Sequence, residues 1–339
     1  MSFEYGKYKI LYLFFIITPI MLFFLSFLIG RYPVTPIEVI YTLISKFNPS
    51  YVVSDTVSSV VFNIRLPRII GALIVGATLS VVGATFQAIF KNPLVSPDIL
   101  GVSSGAGFGA AISILINGSS YLTQSLAFIF GMISVTITYS ISRVYKSSGV
   151  LILVLSGMAI SSFFGSLISS AKFLADPNNK LPEITFWLLG SLASINPKVL
   201  TPVLIITFIG LIILVLLRWR LNILAMGDEE SQALGLDTEK LRVIFIVIST
   251  LITASAVCIS GIIGWVGLIV PHMTRILTGP DNKILLPASI SFGASFLLLM
   301  DDISRAIFIV EVPIGILTAL IGAPLFLLLL KKGYSDWRA

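Results

Sequence analysis

Apolar runs of about 20 residues recur along the whole chain, and very few folds accept such a sequence. A helix rises about 1.5 Å per residue, so each run is long enough to cross roughly 30 Å of hydrocarbon. The runs fall at residues 10–29, 68–90, 97–116, 122–142, 150–171, 199–217, 243–259, 262–277, 284–304 and 313–330. Ten spans are therefore expected, in an all-α polytopic membrane protein that forms one transmembrane domain over residues 1–339. The first run follows Lys7 and Lys9 and so resembles a signal peptide. Its apolar stretch is too long for one and no small-residue cleavage site follows, so it is expected to remain as a span. The pair at 243–259 and 262–277 is short, and Gly261, Gly264 and Gly267 equally suit a break within one long helix.

Charge supports the membrane reading. Only 11% of the 339 residues are charged and 56% are hydrophobic, against roughly 25% charged in soluble domains. Too little charge remains to cover a water-facing surface, which excludes a soluble globular fold and a disordered one. The net charge of +6 does not mark a nucleic-acid binder, because the 22 Lys and Arg form no dense stripe. Their distribution reports topology instead. An even number of spans puts both termini on one side, and fourteen of those 22 residues fall on that side, which predicts cytoplasmic termini in the cell membrane. Residues 30–67 then form an outer segment, with Thr35, Pro36 and Glu38 as a capping-box helix start. Residues 218–242 form the main cytoplasmic loop.

No gap between spans has room for a soluble catalytic domain of about 100 residues, and no Gly-Lys-Ser/Thr phosphate loop is present. No catalytic residue is expected, and ATP, if used, is bound by a partner. Cys258 is the single cysteine and His272 the single histidine, so neither disulfides nor a metal or cofactor site is expected. His272 is read as a structural hydrogen-bonding residue. Ion pumps place ionisable groups deep in the bilayer, whereas every Asp, Glu, Lys and Arg here maps near a span end or in a loop. An ion-coupled secondary carrier is the rival class, and a membrane enzyme lacks the clustered His or acidic residues it would need.

Four segments carry more information than their apolar neighbours. Arg65-Leu66-Pro67-Arg68 precedes the second span and places cations beside the positive end of a helix dipole. That suits headgroup anchoring or the docking of acidic groups on an external partner. Ser96, Pro97 and Asp98 predict a capped helix start after the turn at Asn92-Pro93-Leu94, followed by a row of Gly101, Gly105 and Gly109 that suits close helix packing. In the segment 221–236, Gly227 is expected to close one short helix and Gly235 a second, with Asp228 as cap. Leu224, Met226, Ala233 and Leu234 give it an apolar face fit for a protein contact. Finally, Asp301 and Arg305 are four residues apart and fit a helical ion pair.

Taken together these segments resemble the FecCD/BtuC-like permeases of binding-protein-dependent ABC importers for iron-siderophores, haem and cobalamin. The resemblance rests on Arg65-Leu-Pro-Arg68, Gly76-Ala77 through Gly83-Ala84 with Gln87, Asn92-Pro93-Leu94, Pro97 with Leu100-Gly101-Val102-Ser103, Trp187 with Gly190-Ser191-Leu192, the Gly227 to Gly235 segment, Val266 to His272, and Glu311-Val312-Pro313-Ile314-Gly315 with Gly322. It implies ten spans per subunit and a pair of permease subunits, identical or different. It also implies two cytoplasmic ATPase subunits and an extracytoplasmic substrate-binding protein. By position, Arg65, Arg68 and Arg305 would meet acidic residues of the binding protein. Leu224, Met226, Gly227, Asp228, Glu229, Ala233, Leu234 and Gly235 would couple to the ATPase. Asn92, Pro93 and Leu94 would form the inner gate, with Ser147 and Ser148 as further candidates. Asp301-Asp302 is a doublet where the family pattern has one Asp.

Overall fold

A computed structural model describes residues 2–48, 51, 53–144, 150–307 and 310–336. They fold into α-helices joined by short turns, with no strand among the described residues. In order these are α1 (Ser2–Ser26), α2 (Pro36–Ser45), α3 (Asp55–Ser59), α4 (Leu66–Ile89), α5 (Val102–Leu115), α6 (Ser120–Val144), α7 (Val150–Leu174), α8 (Lys180–Leu188), α9 (Pro197–Met226), α10 (Asp228–Ala233), α11 (Thr238–Ser260), α12 (Val266–Thr278), α13 (Asn282–Ala306) and α14 (Ile314–Asp336). Each of the ten expected spans falls on a helix of its own, in the order α1, α4, α5, α6, α7, α9, α11, α12, α13 and α14. Among the described residues six helical stretches are long and apolar enough to cross a membrane, and α1, α5, α12 and α14 carry shorter apolar stretches.

The bundle has two ends. The near end carries the start of α1 and the turns at 90–101, 227–237 and 279–281, and the far end carries α2, α3 and α8. Along the bundle, α4 is the central post, with 83% of its apolar window buried against 22% for α7. Small residues let its neighbours approach. A Cβ on Gly76 would meet the Gly293 carbonyl of α13 at 2.2 Å, and one on Gly83 would meet the Gly267 carbonyl of α12 at 1.8 Å. The row predicted at Gly101, Gly105 and Gly109 works in the same way, with Gly105 and Gly109 against the backbone of α6. One apolar core fills the far half of the bundle around Ile69, Val75, Leu192, Val266 and Leu297, and a second fills the near half around Val82, Phe86, Leu214, Phe245 and Leu286. Some buried hydroxyls within the spans, those of Thr78, Ser80, Ser249, Thr250 and Ser289, have no partner among the described residues, and others are satisfied locally. Thr85, Thr207, Thr253 and Thr274 each donate to the carbonyl four residues earlier, so they carry little burial cost.

Several local expectations hold. Thr35 and Glu38 form the reciprocal capping box at the start of α2. The segment 243–277 resolves into two helices, broken where Gly261 and Trp265 take φ of +66° and +71°. Others change. Ser96 makes no side-chain cap, and residues 97–100 form a 3-10 turn that Gly101 ends at φ +87°. The expected short helix before Gly227 is the last part of α9, which runs unbroken from Pro197 to Met226. Arg218 and Arg220 thus mark a membrane edge, not a helix end. Gly235, at φ +78°, does close α10, through the Leu236 amide donating to the Ser231 carbonyl at 3.1 Å.

Candidate functional site

The far end holds a buried cluster of charge. α3 continues through a π-turn at Val60–Arg65 into α4. In that turn the Leu66 amide reaches back to the Val61 carbonyl, which makes room for Pro67, a residue without an amide hydrogen. There is consequently no free helix N-terminus at Arg65 and Arg68, and the dipole argument made from sequence does not apply. Both arginines point inward, as does Arg305, with exposures of 3%, 6% and 5%. Arg68 Nε donates to both carboxylate oxygens of Asp301 at 2.9 and 3.1 Å, and its Nη1 to both of Glu311 at 3.1 and 2.9 Å. Arg305 pairs with Asp302 and lies 3.6 Å from Asp301. Arg65 donates to the carbonyls of Phe27 and Tyr32, where a Cβ on Gly30 would come within 2.8 Å of its Nη2. Ser26 at the end of α1 completes the cluster, donating to Asp302 at 2.6 Å.

Three arginines thus stand against three carboxylates. The three arginines expected to anchor headgroups or to dock a binding protein are buried and partnered within the chain, since a guanidinium this deeply buried is stable only with opposite charge or carbonyls around it. The ion pair foreseen between Asp301 and Arg305 is present, but Arg68 makes the better-aligned bonds to Asp301.

At the near end, α4 stops in a Schellman motif. The Asn92 amide donates to the Gln87 carbonyl at 3.1 Å and the Lys91 amide to the Ala88 carbonyl at 3.3 Å. Lys91 holds the left-handed position at φ +49°, which glycine usually takes. Asn92 Oδ1 accepts from the Leu94 amide at 2.9 Å and so shapes the turn through Pro93. Leu94 is left exposed at the tip. Behind the turn, Gln87 Nε2 reaches the carbonyls of Val95 and Leu268, and its Oε1 accepts from Arg275 at 3.0 Å. His272, half-buried, lines the same near-end cavity as Asn92 and Arg275. Ser147 and Ser148 lie outside the described residues.

Beyond the bundle, α10 projects from the near end. Ser231 ties it back to the Ile223 carbonyl at 2.8 Å, and Asp228 pairs with Arg242 of α11 at 2.7 Å. Asp228 lies in the first turn instead of capping it. Met226 and Leu234 are 63% and 61% exposed, and Glu229, Ala233 and Gly235 are exposed with them. Leu224 departs from expectation, since it is buried in the near-half core and presents nothing to a partner. Asn222 joins this arm to the start of α13, donating to Asp281 at 2.6 Å and accepting from the Asn282 amide at 2.8 Å.

Partial burial pushes the Asp281 carboxyl upward. That effect is outweighed by bonds from the Lys283 amide and Asn222 and by the nearby charges of Lys283 and Arg218, which hold it below its ordinary value of 3.8. A depressed carboxylate contributes stability above its unfolded pKa and loses it as pH falls through its folded pKa. Asp281→Asn should therefore remove part of the fall in melting temperature between about pH 5 and pH 3. The contribution is below about 1 kcal/mol, because the group is exposed. An identical acid profile in the variant would contradict the assignment.

Two features were not expected from sequence. Residues 187–192 form a hub at the far end, where the Ser191 amide donates to the Ser260 carbonyl at 2.8 Å and the amides of Ile314 and Gly315 donate to Gly190 and Leu189. The Gly190-Ser191-Leu192 motif and its Trp187 neighbour hinted at such a role. The other is α7, which packs on α5 and α6 along one side and leaves Ser162, Ser166, Ser169 and Ser170 exposed on the other. Serines at this spacing share one helical face, on which Ser166, Ser169 and Ser170 each donate to the carbonyl four residues earlier and keep their oxygens free to accept, beside exposed Leu155, Met158 and Phe173. No group of three His, Cys, Asp or Glu side chains able to hold a metal occurs among the described residues.

A bundle of many apolar helices with a serine-bearing face on one span and a short projecting helix fits a transport permease. The chain belongs to the FecCD transport family, whose model matches residues 17–332. It is 40% identical over 304 residues to the molybdate import system permease protein MolB of Haemophilus influenzae, covering 90% of each chain. It is 42% identical over 278 residues to an iron chelatin transport system permease protein of Helicobacter pylori, covering 82% of this chain and 84% of that one. A solved metal-chelate type ABC transporter in an inward-facing conformation superposes with a TM-score of 0.85 at 38% identity, covering 96% of this chain and 99% of that one. The chain is accordingly a multi-pass permease subunit of an ABC importer.

Proposed function

We propose that this subunit and a second permease, identical or different, enclose a pathway for a metal chelate, with iron-siderophore first and haem or cobalamin next. The exposed serine face of α7 supports that arrangement, because it supplies hydrogen bonds without charge. Weak neutral contacts suit a bulky ligand that must be released. Molybdate remains the competing cargo, since relatives of similar identity carry names for molybdate and for iron chelatin. The near end is cytoplasmic in this reading, in keeping with the basic excess there. The far end receives an extracytoplasmic binding protein. Arg65, Arg68 and Arg305 support that docking from below, by holding the far ends of α1, α4 and α13 in register.

ATP-driven alternating access would run through α10. The projecting, partly apolar arm at Met226 to Gly235 is the observation that carries this reading. Two cytoplasmic ATPase subunits would seat on Met226, Ala233 and Leu234, and their closure would move α9 and α11 together through the Asp228 to Arg242 bond. The turn at Asn92, Pro93 and Leu94 would close the pathway at that end. Met226→Glu combined with Leu234→Glu should abolish co-purification with the ATPase and reduce coupled hydrolysis by at least about tenfold, while the permease keeps its melting temperature. Undiminished association would overturn the coupling role.

A further inference from the structure

The near end contains a basic cavity that shares Asn92 and Pro93 with the gate turn but whose cations have no part in the transport reading. A cavity of about 340 Å³ opens between the ends of α4 and α12 and the start of α13. Lys91, His272 and Arg275 line it, together with Gln87, Asn92 and Asn282, and no carboxylate among the described residues does. The nearest acid in sequence, Asp281, is engaged by Asn222 and by the Lys283 amide. Among the described residues Arg275 bonds only Gln87, a neutral partner, so none of them compensates its charge directly.

Three further details favour a ligand over a chance gathering of cations. Lys91 sits at a left-handed helix terminus normally given to glycine, which costs backbone energy and fixes where its side chain leaves the helix. Asn92 uses its oxygen on the Leu94 amide, which leaves its NH2 as a donor. Asn282 is 4% exposed, with an Oδ1 that has no partner, and turning its amide over would offer another donor.

We propose that this cavity binds a phosphate-bearing anion. Tetrahedral oxyanions suit a site made only of donors and cations, and Arg adds a planar fork for two oxygens. Two sources supply that chemistry at a membrane edge: the headgroup of an anionic phospholipid, or free phosphate. Basic pockets between spans on the cytoplasmic side commonly hold lipid headgroups. The site stands on its own geometry and does not depend on the identity of the cargo.

The test uses the full chain purified in nonionic detergent, followed by its melting temperature. One arm titrates inorganic phosphate against sodium chloride of equal ionic strength. The other compares nanodiscs of phosphatidylcholine with nanodiscs containing phosphatidylglycerol, and reads retained lipid by native mass spectrometry. Saturable stabilisation is expected in at least one arm, weakened roughly tenfold in Lys91→Gln and in Arg275→Gln. Phosphate acting alone identifies a free anion, and phosphatidylglycerol acting without phosphate identifies the headgroup. Lys91→Gln alters an exposed side chain, so it remains informative if Arg275→Gln fails to fold. No saturable effect in either arm, or variants that respond like the parent, would overturn the site.

Discussion

Arg68→Ala should destabilise the permease by about 3–5 kcal/mol, the usual result of leaving a buried charge unpaired. Among the described residues Arg68 alone bonds both Asp301 and Glu311, and Asp301 is fully buried. Removing the guanidinium leaves Asp301 with the longer contact to Arg305 at 3.6 Å. The far ends of α4 and α13 and the start of α14 then lose their common tie. Arg68→Lys should recover only part of the loss, because one ammonium cannot reproduce two paired sets of bonds. Replacing Arg68 and Asp301 together by Met and Leu should be milder than Arg68→Ala, since the uncompensated charge goes with its partner. Thermal melting of the purified chain reads all three. A double variant no better than Arg68→Ala would show that packing, and not charge, governs this end.

Gly83→Val should also destabilise the permease, by about 3 kcal/mol. Its Cβ would overlap the Gly267 carbonyl, at 1.8 Å, and this obstacle is backbone that no side-chain rotation clears. Forcing α4 and α12 apart would also strain the Gln87 bond to the Leu268 carbonyl. Overpacking typically costs about 1–3 kcal/mol and occasionally more, and a clash with backbone belongs at the upper end of that range. Gly165 of α7 is the internal comparison, because a Cβ there meets nothing within 4 Å. Gly165→Ala should leave the melting temperature unchanged or raise it, by up to about 1 kcal/mol of helix propensity. Equal loss at both positions would contradict the close-packed crossing of α4 and α12.

The spans were legible because bilayer thickness sets a length that the apolar runs display directly. Capping chemistry at Thr35 and Glu38 was legible as well, being contained within four residues. The charge cluster was not. Arg68 and Asp301 lie 233 positions apart, and nothing in the local pattern of Arg65-Leu66-Pro67-Arg68 says whether its cations turn in or out. The matching number of carboxylates near residue 301 was the available hint. The arm at 221–236 was read correctly at Gly235 and wrongly before Gly227, since a helix leaving the membrane keeps its hydrogen bonds while its composition changes. Leu224 shows the same limit: an apolar residue in a polar segment signals a contact, but not whether the contact is with the chain's own core. α8 escaped notice because nine residues of mixed polarity give no distinct periodicity.

The proposed coupling makes this permease depend on separate ATPase subunits that act through α10. Uptake into proteoliposomes tests this most directly, with the permease pair reconstituted beside its ATPase and binding protein and a labelled iron chelate followed into the lumen. The predicted result is uptake that requires ATP, persists when an ionophore dissipates the ion gradients, and is lost in the Met226→Glu, Leu234→Glu variant. Uptake by the permease without any ATPase, collapsing when the gradient is removed, would contradict it and identify an ion-coupled carrier.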